Sequence, residues 1–232
     1  MKIIGLIPAR GGSKGIQKKS IALCAGKPLL AYTCDAALSS RNLSMTILST
    51  DDPEIAEVGK HYGVEVPFLR PSELAKDDTP MIDVLKHAFH WLKNAREEVD
   101  AIALLQPTSP LRTAQHIDEA IELFQKTGAN TVVSIIRVPH QFNPYSILKK
   151  NGNETLQPWI DDQPQMVLRQ NKPALYARNG PAVLLIRSES IQKGILYSKK
   201  TFGYLMDEAL SIDVDSPNDL TLAERAILSK DA

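Results

Sequence analysis

Lys2-Ile3-Ile4-Gly5-Leu6-Ile7-Pro8-Ala9-Arg10-Gly11-Gly12-Ser13-Lys14-Gly15 opens the chain and decides its fold class. An isoleucine-rich run stops at a proline and a glycine loop, the pattern of a short buried strand that feeds a turn. A strand without a polar face needs cover on both sides, and the chain that follows supplies it in alternation. Leu29 to Ser39 reads as a helix and Met45 to Ser49 as a second strand. Asp52 then caps a helix with Pro53 at its first position, where proline gives up only an N–H that would lack a partner. That helix is predicted to end before Gly63. Val64 to Leu69 is predicted as a third strand, and Thr79-Pro80 repeats the cap-and-proline signal. Ile82, Leu85, Phe89 and Leu92 follow at the spacing of one apolar helical face. Ala101 to Leu105 is a fourth strand, and Ile117, Ala120, Ile121 and Phe124 mark another helix. Thr131 to Val138 returns to β-branched residues.

Strands alternating with helices require crossover connections, and so an α/β fold of three layers. Its sheet is mainly parallel, and its ligand crevice lies at the carboxyl ends of the strands. The loops after the first, second and fourth strands are therefore where chemistry is expected. Residues 139–180 break the rhythm with five prolines (139, 144, 158, 164 and 173), and read as an excursion, either a lid or an oligomer arm. The pattern resumes with strands at Ala182 to Ile186, Phe202 to Met206 and Leu210 to Val214. Ser216-Pro217 opens a last helix reaching about Ser229. The core is thus 1–138 with 181–232.

Bulk properties narrow the partners. The 232 residues are 43% hydrophobic, enough to bury the core of one domain. Lys plus Arg (27) equals Asp plus Glu (27), so no global field draws nucleic acid or an anionic membrane to the chain. The apolar start is too short for a signal segment, and no stretch approaches the ~20 apolar residues needed to cross a bilayer. Two cysteines, Cys24 and Cys34, make no disulfide framework, and a reduced, cytoplasmic setting is expected.

Three constellations carry chemistry. In the first, glycines let the backbone of Ala9, Gly11 and Gly12 approach a polyanion, while Arg10 and Lys14 oppose the charge of a triphosphate. The spacing is neither that of a Walker A loop nor of a dinucleotide fingerprint; a plain glycine turn with solvated lysines is the other reading. Leu104-Leu105-Gln106-Pro107-Thr108-Ser109-Pro110-Leu111-Arg112 sets an amide, two hydroxyls and a guanidinium on one loop stiffened by prolines. The third is Ser211-Ile212-Asp213-Val214-Asp215-Ser216. On a strand, Asp213 and Asp215 would project to one face and reach one hard cation such as Mg²⁺, unless that face is simply solvated.

Taken together, Ile7 to Ile16, Leu104 to Arg112, Asn179-Gly180 and Ser211 to Asp215 resemble the acylneuraminate cytidylyltransferases, the CMP-sialic acid synthetases. The resemblance implies a Rossmann-like nucleotidyltransferase fold, Mg²⁺ as cofactor, and a homodimer whose arm reaches the neighbour's sugar site. It also implies CTP and a nine-carbon acidic sugar as substrates. Arg10 and Lys14 would hold the triphosphate, Arg70 of Arg70-Pro71 the cytidine side, Gln106 the sugar, and Asp213 and Asp215 the metal. The chain departs from the family in three places. Ser20 stands for an asparagine, Met81 for a serine, and Asn179-Gly180-Pro181-Ala182 for Asn-Gly-Ala-Ile.

By that resemblance the sugar's anomeric hydroxyl attacks the α-phosphate and pyrophosphate leaves, with Asp215 also placed to assist removal of the hydroxyl proton. Arg169 or Arg178 would meet the sugar carboxylate; ordinary solvated arginines are the other reading of both. Runner-up functions are a cytidylyltransferase for an eight-carbon Kdo-type acid and a nucleotide-sugar binding protein without catalysis. A dehydrogenase fits worst, because the glycine spacing is wrong.

Overall fold

In the computed structural model, residues 1–152, 154–160 and 172–229 are described. β1 (Ile3–Pro8) has Ile3, Ile4, Leu6 and Ile7 fully buried, and their alternation divides two cores. Ile3 and Ile7 pack with Leu30 and Cys34 of α1 (Leu29–Leu38) and with Ile117, Ile121 and Phe124 of α4 (Ala114–Thr127). Ile4 and Leu6 face Leu85, Phe89 and Leu92 of α3 (Met81–Asn94). A continuous apolar strand between two helical layers is what the opening run demands.

Around it the chain adds β4 (Met45–Ser49), α2 (Pro53–His61), β5 (Ala101–Leu104), β6 (Thr131–Arg137) and β9 (Tyr176–Arg178). Then follow β10 (Leu184–Arg187), α5 (Ser188–Gln192), β11 (Thr201–Leu205) and α6 (Pro217–Leu228). The sheet runs β11-β6-β10-β5-β1-β4, with β9 beside β6. Parallel pairing of β1 with β4 and β5, and of β6 with β11, gives five strands in one direction. β10 and β9 run against them, so the sheet is mainly parallel but mixed. Two small ribbons lie outside it, β2 (Leu23–Cys24) with β3 (Lys27–Pro28) and β7 (Leu148–Lys150) with β8 (Leu156–Pro158).

Local signals explain the helix starts. The Asp52 side chain accepts from the N–H groups of Glu54 and Ile55, with Pro53 behind it. Thr113 and Ser216 close capping boxes at α4 and α6, and Gly128 ends α4 at φ 57, where a side chain would be strained.

Three expectations are corrected. Val64 to Leu69 forms only isolated bridges, Ile47 to Glu65 and Thr50 to Leu69, because Pro67 interrupts an edge segment that then lacks a donor. Thr79 does not cap α3: its hydroxyl turns back to the Glu73 carbonyl, and Pro80 occupies the cap without a side-chain bond. Leu210 to Val214 is not a strand either. Glu208–Leu210 is a 3₁₀ turn capped by Asp207, and the Val214 N–H donates to the Thr108 carbonyl at 2.8 Å, beside a loop rather than a strand. The excursion's last strand, β9, joins the main sheet through β6.

Candidate active site

β1 and β4 end side by side, joined beyond the strands by the Ala9 N–H donating to Ser49 O at 2.9 Å. The loop after β1 then leans on the loop after β4: the Gly11 N–H donates to Asp51 Oδ1 at 3.1 Å. A β-carbon at Gly11 would stand 2.7 Å from Asp52 Oδ2, the α2 cap, so glycine permits this approach, whereas Gly12 faces open space.

Here the amino-terminal loop meets the carboxy-terminal acidic segment. Lys19 donates to Val214 O and to Asp215 Oδ1, each at 2.8 Å. Gly15 lies directly against the Asp215 carbonyl. The result is a cavity of about 280 Å³, walled by Arg10, Lys19, Ser20, Arg70, Gln106, Thr108 and Asp215 together with Lys76, Asp77 and Met81. Of the three loops expected to carry chemistry, those after the first and fourth strands line the cavity, while the loop after the second reaches it only through Asp51, which braces Gly11 and Arg70.

Arg70 is buried at the cavity wall, its Nη2 3.7 Å from Asp51 Oδ1 and its Nε without a hydrogen-bond partner among the described residues. Burial lowers its pKa, and Asp51 opposes that shift. Gln106 is held from behind. The guanidinium of Arg112, fully buried, donates through Nη1 to Gln106 O (3.0 Å) and Ala182 O (2.9 Å), and through Nη2 to the Thr33 hydroxyl. Burial brings the Arg112 pKa down to about 9, which leaves it a cation at neutral pH.

The two aspartates lie on an irregular segment rather than a strand, and they differ in exposure. Asp215 is exposed and lines the cavity; Asp213 is half-buried behind it, 3.0 Å from where a Gly180 β-carbon would sit. Burial raises the Asp213 pKa, with Thr108 pulling the other way, and Oδ1 is buried without a hydrogen-bond partner among the described residues.

Other predicted residues fall elsewhere. Lys14 reaches out to Asp77 rather than into the cavity wall. Asn179 is buried with its amide consumed: Oδ1 accepts from the Ser134 hydroxyl at 2.6 Å, and Nδ2 donates to the Ser211 hydroxyl at 2.9 Å. It fastens β6 to the acidic segment. Arg178 is exposed on β9, its guanidinium 4.8 Å from the Tyr197 ring centre. Arg169 lies outside the described residues. Sequence reasoning passed over Lys76 and Asp77 and took Thr79 only as a helix cap, although the charged run 76–78 was the available signal.

The cytidylyltransferase family profile matches residues 4–229, nearly the whole chain. The chain belongs to that family. This cytidylyltransferase is 33% identical over 226 residues to CMP-N,N'-diacetyllegionaminic acid synthase of Legionella pneumophila, covering 97% of this chain and 96% of that one. It is 33% identical over 223 residues to N-acylneuraminate cytidylyltransferase of Escherichia coli. There it covers 96% of itself but 51% of the relative, so it spans about half that protein's length. Its fold is like that of a CMP-2-keto-3-deoxy-manno-octonic acid synthetase solved with CTP, with TM-score 0.72, 15% identity and 100% of both chains covered. The cytidylyltransferase has no helix, among the described residues, long and apolar enough to cross a membrane.

Proposed function

We propose that this cytidylyltransferase transfers CMP from CTP to the anomeric hydroxyl of a nine-carbon acidic sugar of the sialic, legionaminic or pseudaminic type, releasing pyrophosphate. One observation carries the reading: Arg10 and Lys19 of the first loop share a single cavity with Arg70, Gln106 and Asp215. That combination suits a polyanionic nucleotide beside a polar sugar. The names of the two relatives support the sugar class, and the match to the Legionella synthase runs along almost all of that protein.

The bond that forms joins the sugar oxygen to the α-phosphorus; the bond that breaks links that phosphorus to the departing pyrophosphate. Arg10 and Lys14 neutralise the phosphates, Arg70 with the backbone of Ala9, Gly11 and Gly12 seats the nucleotide, and Ser20 offers a hydroxyl to it. Gln106 orients the sugar, and the Asp215 carboxylate accepts the hydroxyl proton. Mg²⁺ is the proposed cofactor. Asp215 reaches the cavity, and one buried carboxylate oxygen of Asp213 has no hydrogen-bond partner among the described residues, which suits a cation that takes one or two carboxylates, substrate phosphates and water. Such an ion, when bound, withdraws charge from the reacting phosphate.

Residues 139–180 are proposed as an arm of a homodimer. Exposed Phe142, Leu148, Leu156 and Trp159 on and beside the β7–β8 ribbon support it, since apolar side chains gathered on an outlying ribbon favour a partner surface. Arg178, and Arg169 with it, are proposed to meet the sugar carboxylate. A cytoplasmic setting and no role for nucleic acid complete the reading.

The test is pyrophosphate release from CTP and Mg²⁺ with N-acetylneuraminic, legionaminic, pseudaminic and Kdo acids in turn. Release with a nine-carbon acid is expected. Release with Kdo alone overturns the sugar class, and release with none overturns the enzymatic reading.

A further inference from the structure

Asp77 stands between the two cations assigned to the triphosphate. Its Oδ1 is 2.7 Å from Arg10 Nη1 and its Oδ2 is 2.9 Å from Lys14 Nζ, so one carboxylate spans both as two oxygens of a phosphate would. Those contacts hold the Asp77 carboxyl below its ordinary range, Lys14 first and Arg10 second. Asp77 lies on a segment whose backbone hydrogen bonds close on themselves: Ala75 N–H to Ser72 O at 3.0 Å, and Thr79 N–H to Lys76 O at 3.2 Å. Its neighbours Leu74, Lys76 and Thr79 line the same cavity. The segment is therefore a strap laid over the phosphate end of the site and fastened there by charge.

We propose that Asp77 is a built-in competitor for the triphosphate: its carboxylate occupies Arg10 and Lys14 until a polyphosphate displaces it. This rests on the nucleotidyl-transfer reading above and deepens it into a basis for selectivity. A triphosphate brings enough charge to replace one carboxylate on two cations, whereas the single phosphate of a released CMP-sugar does not. Once pyrophosphate departs, Asp77 returns to the cations and the product loses its hold.

The experiment is calorimetric titration of inorganic tripolyphosphate and of CTP into the wild-type chain, Asp77→Asn, Lys14→Ala and the double variant, at low and at high salt. Asp77→Asn is expected to bind tripolyphosphate about two- to thirtyfold more tightly, the range for two exposed ion pairs removed together. The gain shrinks at high salt, where exposed charges are screened, and it shrinks again when Lys14 is absent. Unchanged or weaker binding by Asp77→Asn, or a gain of the same size without Lys14, overturns the inference. If the wild-type chain itself binds neither CTP nor tripolyphosphate, the proposed function fails first and this inference falls with it.

Discussion

Lys19 Nζ and Asp215 Oδ1 lie 2.8 Å apart across 196 positions of sequence, and the same ammonium holds the Val214 carbonyl. The pair brings the acidic segment to the basic loop. It also sets the Asp215 carboxylate beside the cavity, with its side chain 76% exposed. Asp215→Ala is therefore expected to keep its thermal midpoint and to lose at least ~10²-fold in turnover, measured as pyrophosphate release. Near-normal turnover would remove Asp215 from the reaction.

Two glycines of the first loop, Gly12 and Gly15, separate ligand approach from close packing. A β-carbon at Gly15 collides with the Asp215 backbone carbonyl, an atom that cannot swing aside, whereas one at Gly12 meets nothing within 4 Å among the described residues. Gly15→Ala is expected to cost about 1–3 kcal/mol of stability, as overpacking does, and Gly12→Ala to stay within about 0.5 kcal/mol. Urea unfolding of the two variants checks this. If Gly12→Ala folds normally yet binds CTP less well, the backbone there touches the nucleotide.

The Arg112 fork joins the Gln106 loop to the chain entering β10. In Arg112→Lys a charge remains buried, but a single ammonium cannot match donors set in a plane. One orphaned carbonyl is worth about 1–3 kcal/mol, and a loss of that size is expected in urea unfolding. A stability equal to wild type would show that the fork is dispensable.

Both thiols are buried and uncharged. Burial raises the Cys34 pKa to about 12 and the Cys24 pKa to about 11. Each folded value lies above the ordinary ~8.5, so the native state holds these protons more tightly. Their contribution is complete below about pH 8.5 and is lost as pH rises through 11 to 12. Stability measured from pH 7 to 10 should fall above about 8.5, and the Cys24→Ala/Cys34→Ala chain should show a shallower fall. Native thiols should resist a disulfide reagent at pH 7, and rapid modification there would contradict their burial.

The layered fold was legible because its signals are local. Asp52-Pro53, Ser216-Pro217 and the isoleucines of β1 state their conformations through nearest neighbours, and strands and caps followed as expected. Val64 to Leu69 misled because Pro67 breaks the ladder that its ends begin to form beside β4, and Leu210 to Val214 because apolar alternation describes a strand only where a neighbouring strand offers hydrogen bonds. With that strand went the alternation argument for the two aspartates: Asp213 is half-buried and Asp215 exposed on an irregular segment. The partners of Asn179 were equally hidden, since its amide bonds Ser134 and Ser211, distant in sequence.

By itself the sequence determined the order of strands and helices, the glycine loop with its cations, and the presence of two late aspartates. Patterning and residue chemistry suffice for each of these. Tertiary structure alone decided that β10 runs against its neighbours, that Lys19 is the residue gripping Asp215, and that Asp77 lies across Arg10 and Lys14. Those outcomes depend on which groups the folded chain brings within hydrogen-bonding distance, and nothing in local spacing encodes a contact between residues tens or hundreds of positions apart.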